Sequence, residues 1–230
     1  MTMAECPKCR KEMALCICDM IVPAKTKRHV LILQHPQEPD KDLGSARIAH
    51  LALENSTLRI GLSWPNLSKA LGRPAVHGNW GVLYLGGRSE RSKGAASGSR
   101  RFEVMPKTGT ASPQPEVDLE GIVVLDGTWA QAKTLWWRNP WLLKLKRLTL
   151  NASRPSLYGR LRKEPRRECL STIESIAEAL EAMGEDATVG DTLRTYFAAL
   201  LQRYRSRQHP TQNEPRRHSS GAVEDKMRST

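Results

Sequence analysis

The chain is predicted to fold as an α/β domain with a mainly parallel sheet and helices on both of its faces. Three observations predict it. Continuous apolar runs recur at residues 30–33, 81–85 and 121–125, each too uninterrupted for a half-exposed strand. Segments with helical spacing alternate with those runs, as crossover helices between parallel strands must. Two capping-box signatures, Thr128 with Gln131 and Ser171 with Glu174, mark helix starts directly after such segments.

In order, residues 28–34 read as a buried strand carrying Val30, Leu31, Ile32 and Leu33. A helix follows over 46–54, with Ile48, Leu51 and Ala52 at helical spacing. Residues 57–62 suit a short strand and 67–71 a helical turn. A second buried strand spans 81–85 and closes at Gly86 and Gly87, where bare backbone favours close approach to a ligand. Residues 88–115, rich in Gly, Ser, Pro, Arg and Lys, read as a mobile surface loop. A third buried strand over 121–125 ends at Asp126 and Gly127, and a helix starts from Thr128. In that helix Trp136 and Trp137, followed by Trp141, read as packing residues and not as a base-stacking platform. A fourth strand covers 147–150. After a long basic segment, Cys169 reads as a packing residue, and Ser171 opens a helix carrying Ile173, Ile176, Ala177 and Leu180. Asp191 is expected to cap the last helix, with Leu193, Phe197, Leu200, Leu201 and Tyr204. The expected organisation is a knuckle over 1–27, the α/β domain over 28–205 and a disordered basic tail over 206–230.

The formal charge of +12, with pI near 9.8, implies a polyanionic partner such as RNA. The charge is concentrated. Between Lys144 and Glu168 nine Lys or Arg stand against two Glu, among them Arg147, Arg154, Arg160, Arg162, Lys163, Arg166 and Arg167. Arg91, Lys93, Arg100 and Arg101 form a second basic cluster, and Arg205, Arg207, Arg216 and Arg217 a third. No apolar run approaches the ~20 residues that cross a bilayer.

Cys6, Cys9, Cys16 and Cys18 form two close pairs on a short hydrophilic segment. Four soft donors on two tight turns suit a structural zinc ion, which would hold a segment too polar to keep its own shape. Two disulfides are the alternative. Residues 1–5 are too short and too polar for a secretory signal, so a reducing cytoplasm, and with it zinc, is expected.

Asp126, Gly127, Thr128 and Trp129 stand where a buried strand passes into a helix, the place where open α/β sheets bind ligands. A tight turn, a helix cap and a core tryptophan explain the same residues, and both readings stand. His35, Pro36 and Glu38 follow the first strand in the equivalent position. A histidine beside proline is more often a hydrogen-bonded turn residue than a catalyst. The usual glycine-rich signatures for dinucleotides and nucleoside triphosphates are absent.

Together these pieces resemble the DTW-domain family, named for Asp-x-Thr-Trp, here Asp126, Thr128 and Trp129. The resemblance takes in Leu125 to Lys133, the four-cysteine knuckle, His35-Pro36-x-Glu38, and Leu170-Ser171-Thr172-Ile173-Glu174 after a basic loop. It covers residues 6 to about 200. At Gly44-Ser45-Ala46-Arg47 the chain departs from the family's more Thr/Asn-rich version, which leaves the roles of Ser45 and Arg47 open. The resemblance implies a fold related to the knotted SPOUT methyltransferases. It also implies transfer of the 3-amino-3-carboxypropyl group of S-adenosylmethionine to N3 of a tRNA uridine, releasing methylthioadenosine. On that expectation Asp126 assists removal of the N3 proton, Thr128 fixes the turn or binds the cofactor, and Trp129 walls the pocket. His35, Glu38, Gly86, Gly87, Leu125 and Gly127 would line the cofactor site, and the basic residues from Arg147 to Arg167 would meet RNA. An RNA methyltransferase of related fold and a zinc-stabilised RNA-binding protein without catalysis are the competing readings. Against the last, a carboxylate beside a polyanion repels phosphate.

Overall fold

A computed structural model describes residues 4–39, 41–83, 118–150, 154–159, 161 and 170–208, and the backbone of 102–105. Its sheet has six strands: β1 (His29–Gln34), β2 (Ser56–Ile60), β3 (Trp80–Leu83), β4 (Phe102–Met105), β5 (Gly121–Asp126) and β6 (Lys146–Leu150). Their order is β2-β1-β5-β3-β6-β4, with the first five parallel and β4 antiparallel along the far edge. The sequence reading placed β4 inside a mobile loop. Its only strong cue is a four-residue stretch among polar residues, too short for a period to show. Tyr84 and Leu85, the expected end of β3, and Gly86, Gly87 and Cys169 lie outside the described residues. So do 84–101, 106–117, 151–153, 160 and 162–169.

The three central strands are buried along nearly their whole length because both faces are covered. Side chains alternate across the sheet, so Val30 and Ile32 enter one core while Leu31 and Leu33 enter the other. The first core is roofed by α1 (Ala46–Ala52), α4 (Thr172–Ala182) and α5 (Ala187–Gln208). The second is roofed by α2 (Leu67–Leu71) and α3 (Trp129–Arg138), with Trp141 and Leu142 of the following 3-10 turn. Both predicted capping boxes are formed, at Thr128 and at Ser171.

Two expectations about the helices are corrected. Asp191 lies inside α5 and does not cap it. The start belongs to Asp186, whose Oδ1 accepts hydrogen bonds from the Thr188 amide (2.9 Å) and hydroxyl (2.8 Å). Gly190, just before Asp191, is a packing glycine inside α5: a Cβ there would run into the carboxyl of Glu181 on α4. Trp137 does not pack either. It is 72% exposed, whereas Trp141 is buried and donates from Nε1 to the Trp64 carbonyl at 2.9 Å. The helix turns its 132 and 135 positions to the core, which leaves 137 pointing away.

The N-terminal knuckle is joined to the first core by Leu15 and Ile17, both fully buried. Ion pairs Arg207–Glu12 (2.7 Å) and Arg203–Asp19 (3.1 Å), and the Val22 amide donating to the Tyr196 hydroxyl (3.0 Å), fasten it along α5.

Candidate active site at the switch point of the sheet

From β1 the chain crosses over one face, through α1, to β2. From β5 it crosses over the opposite face, through α3, to β6. The carboxyl ends of these two neighbours are therefore where the winding reverses, the position at which open α/β sheets leave a crevice. The register pairs Gln34 with Asp126 there. The His35 amide extends the ladder by donating to the Asp126 carbonyl at 3.0 Å.

Asp126 is only 5% exposed. Its Oδ2 accepts from Gln34 Nε2 at 2.8 Å, and its Oδ1 accepts from the Thr172 hydroxyl at the start of α4. Burial pushes its carboxyl above the usual carboxylate range, and the Glu38 charge adds to the rise. The hydrogen bonds from Thr172 and Gln34, and the Lys41 ammonium, oppose it. The result is a carboxylate that holds a proton more tightly than a solvated one. Each of its oxygens retains a lone-pair site beyond the bond it accepts here. Gln34 adds an oddity: its Oε1 is buried and has no hydrogen-bond partner among the described residues.

The surrounding residues position this group. Thr128 is occupied by the cap, since its hydroxyl accepts from the Gln131 amide (3.4 Å) and its own amide donates to Gln131 Oε1 (2.6 Å). Gly127 permits a close approach, because a Cβ would stand 2.8 Å from Gln131 Cβ and 3.5 Å from His35 Cβ. Leu125 is buried in the second core, so its side chain faces packing and not a ligand. His35 behaves as a turn residue whose Nδ1 accepts from the Gln37 amide at 3.3 Å. Glu38 is buried and accepts from Lys41 Nζ at 2.6 Å within the same loop. Trp129 is 48% exposed at the mouth of α3.

Four residues that support the site were given no role by the sequence reading. Gln34 and Thr172 look like a strand end and a helix start, and only the register and the approach of α4 bring them to Asp126. Ser45, at the point of departure from the family pattern, is buried and accepts from the Ile173 amide at 3.2 Å, tying the loop after β1 to α4. Lys11 is a buried lysine of the knuckle, and its Nζ donates to the carbonyls of Lys41 (3.0 Å) and Asp42 (2.7 Å). Burial lowers its pKa to about 8, against the pull of Cys9, Asp42 and Asp126. Arg207 reaches the same loop by pairing with Asp42. The knuckle thus grips the loop that walls Asp126.

The four cysteine sulfurs lie within 4.8 Å of one another, three of the residues buried, and none is in a disulfide. The Cys6 and Cys18 sulfurs are 3.8 Å apart. Four thiolates on zinc at about 2.3 Å would have tetrahedral edges of about 3.8 Å, so the set fits the ion.

Of the predicted RNA contacts, Arg147 is exposed, with its guanidinium over the Trp136 ring at 5.6 Å. Arg154 is exposed and pairs with Asp191 at 3.2 Å. Arg160, Arg162, Lys163, Arg166 and Arg167 lie outside the described residues. No helix among the described residues is long and apolar enough to cross a membrane.

The profile of the DTW domain matches residues 3–205. The chain belongs to the DTW-domain family. Three curated relatives carry the name tRNA-uridine aminocarboxypropyltransferase 2. This DTW-domain chain is 27% identical to the one from Macaca fascicularis over 205 residues and 28% identical to the one from Mus musculus over 204 residues. Each alignment takes 85% of this chain and 62% of the relative, so the chain spans under two thirds of their length. The Drosophila melanogaster relative is 26% identical over 200 residues, covering 82% of this chain and 70% of its own. No solved structure matches.

Proposed function

We propose that this DTW-domain protein transfers the aminocarboxypropyl group of S-adenosylmethionine to N3 of a uridine in tRNA. The observation that carries the reading is Asp126: a buried, hard-to-ionise carboxylate of the family's name motif, at the switch point of the sheet. Names of relatives over most of the chain supply the substrate and the transferred group.

When bound, the sulfonium supplies an electrophilic γ-carbon, so the N3–Cγ bond forms as the Cγ–S bond breaks and methylthioadenosine leaves. Everything else falls to the chain. N3 attacks poorly while it keeps its proton, and Asp126, with its raised pKa, is a better acceptor for that proton than an ordinary carboxylate. Gln34 and Thr172 hold its two oxygens in a fixed plane. Thr128 fixes the turn that presents it, and Trp129 shields the crevice on the α3 side. The backbone from Leu125 to Thr128, with His35 and Glu38 on the neighbouring loop, would hold the donor, and Gly86 and Gly87 are assigned to it from the sequence alone. Arg147 and Arg154, with Arg160, Arg162, Lys163, Arg166 and Arg167, meet phosphates. Zinc, held by Cys6, Cys9, Cys16 and Cys18, keeps the knuckle folded, and the protein works in a reducing cytoplasm.

The test is incubation of the protein with unmodified tRNA and labelled donor, followed by mass spectrometry of the nucleosides and the by-product. Aminocarboxypropyluridine with methylthioadenosine is expected. Methylated nucleoside with S-adenosylhomocysteine would make it a methyltransferase, and specific tRNA binding with no donor consumption would make it a binding protein.

A further inference from the structure

The outer face of α3 shows a pattern that burial does not explain. Trp129 and Trp137, 48% and 72% exposed, stand eight residues apart with the exposed Lys133 midway. Steps of four keep all three on one side of a helix, a stripe about 12 Å long at 1.5 Å per residue. Beside it lie the exposed Arg138 at the helix end and Arg147, whose guanidinium covers the Trp136 ring. Two indoles left largely in water forgo the stabilisation that burying large aromatic surfaces brings. Charge points to the occupant. No Asp or Glu occurs between Asp126 and Glu164, so the segment holding α3 and β6 carries only positive formal charge. A second copy of the chain laid on this face would set like charges together, whereas a nucleic-acid strand would find phosphate partners and π-faces in alternation. The stripe also begins three residues after Asp126 and runs outward from it.

We propose that the outer face of α3 is a single-stranded RNA platform, on which Trp129 and Trp137 stack bases while Lys133, Arg138 and Arg147 meet phosphates. A strand lying on it leads its next base to the crevice at Asp126. The assignment rests on the RNA-modifying reading above and adds where the strand lies and which side chains read it.

The experiment uses the full chain and a fluorescein-labelled ten-nucleotide single-stranded RNA, with binding followed by anisotropy across a salt series. Trp137→Ala should weaken binding roughly five- to a hundredfold, the range of one base–aromatic stack, and leave the salt slope unaltered. Trp137→Phe should recover most of the loss. Lys133→Ala should reduce the salt slope by about 0.7, the value for one phosphate contact on a single strand. On tRNA, the Trp137→Ala loss should appear in KM. Binding by Trp137→Ala within twofold of wild type, or an equal loss in Trp137→Phe, would overturn the platform. So would a wild-type dimer in sedimentation that Trp137→Ala dissociates, since the face would then belong to a second copy. Failure of the enzymatic reading looks different: the platform variants would change RNA binding as stated while the wild type forms no modified uridine.

Discussion

Asp126→Asn separates the two jobs a carboxylate can do at the end of β5. The amide keeps the shape, and Gln34 can rotate its own amide so that its orphaned Oε1 accepts from the new NH2 group. Folding should therefore survive, while the general base we propose is lost, lowering turnover by about a hundredfold or more. The pH dependence has a definite sign. Because the folded chain holds the Asp126 proton more tightly than the unfolded chain, the contribution of this group to native stability is greatest below the ordinary carboxylate value of about 3.9 and is lost as pH rises through the raised folded value. Denaturant titrations at pH 4 and pH 8 should show Asp126→Asn gaining on the wild type at the higher pH. Wild-type kcat/KM should rise through the same raised pKa. An Asp126→Asn enzyme with full turnover would remove this group from the chemistry. At this scale the sequence singled out Asp126 by its place between a buried strand and a helix, and the structure puts it, buried, at the carboxyl end of β5. It gave no role to Gln34 or Thr172, which reach Asp126 only because other parts of the chain bring them together.

Glu174 shows how much one element can carry. It completes the Ser171 capping box and also accepts from the Ser156 hydroxyl (2.9 Å) and the Leu157 amide (2.7 Å), docking residues 154–159 onto α4. Glu174→Ala should cost about 3 kcal/mol or more, since several donors lose their acceptor at once. Amide exchange at Leu157 should quicken well beyond what a lost cap alone would cause. The capping box was readable because its two residues sit three apart; the docking of 154–159 was not, because those partners are seventeen and eighteen residues away. Gly190 sets local propensity against tertiary packing in the same way. By helix propensity alone Gly190→Ala should stabilise α5 by up to about 1 kcal/mol. The close approach of Glu181, which is held by Arg194, predicts the opposite sign. Thermal unfolding of Gly190→Ala decides between local propensity and tertiary packing.

For the whole molecule, the apolar runs made the parallel sheet legible, but nothing in them gave the strand order or the reversal of winding at Gln34 and Asp126. The knuckle was visible as a donor set and invisible as a clamp. Lys11 and Arg207 connect it to residues 41–42, Ser45 connects that loop to α4, and Thr172 connects α4 to Asp126. Stripping the metal with a chelator should therefore speed amide exchange at 41–45 as well as in the knuckle itself. Lys11→Met should reproduce the loop effect while retaining one zinc per chain by elemental analysis. Exchange unchanged at 41–45 in both cases would make the knuckle an independent appendage. The seam between the knuckle and α5 joins the earliest and nearly the latest residues of the described chain, and this orders events during synthesis. The cysteines leave the ribosome well before the α5 surface that seats them. Until Arg203 and Arg207 emerge, the nascent knuckle has no berth, and the loop at 41–42 stays unbraced.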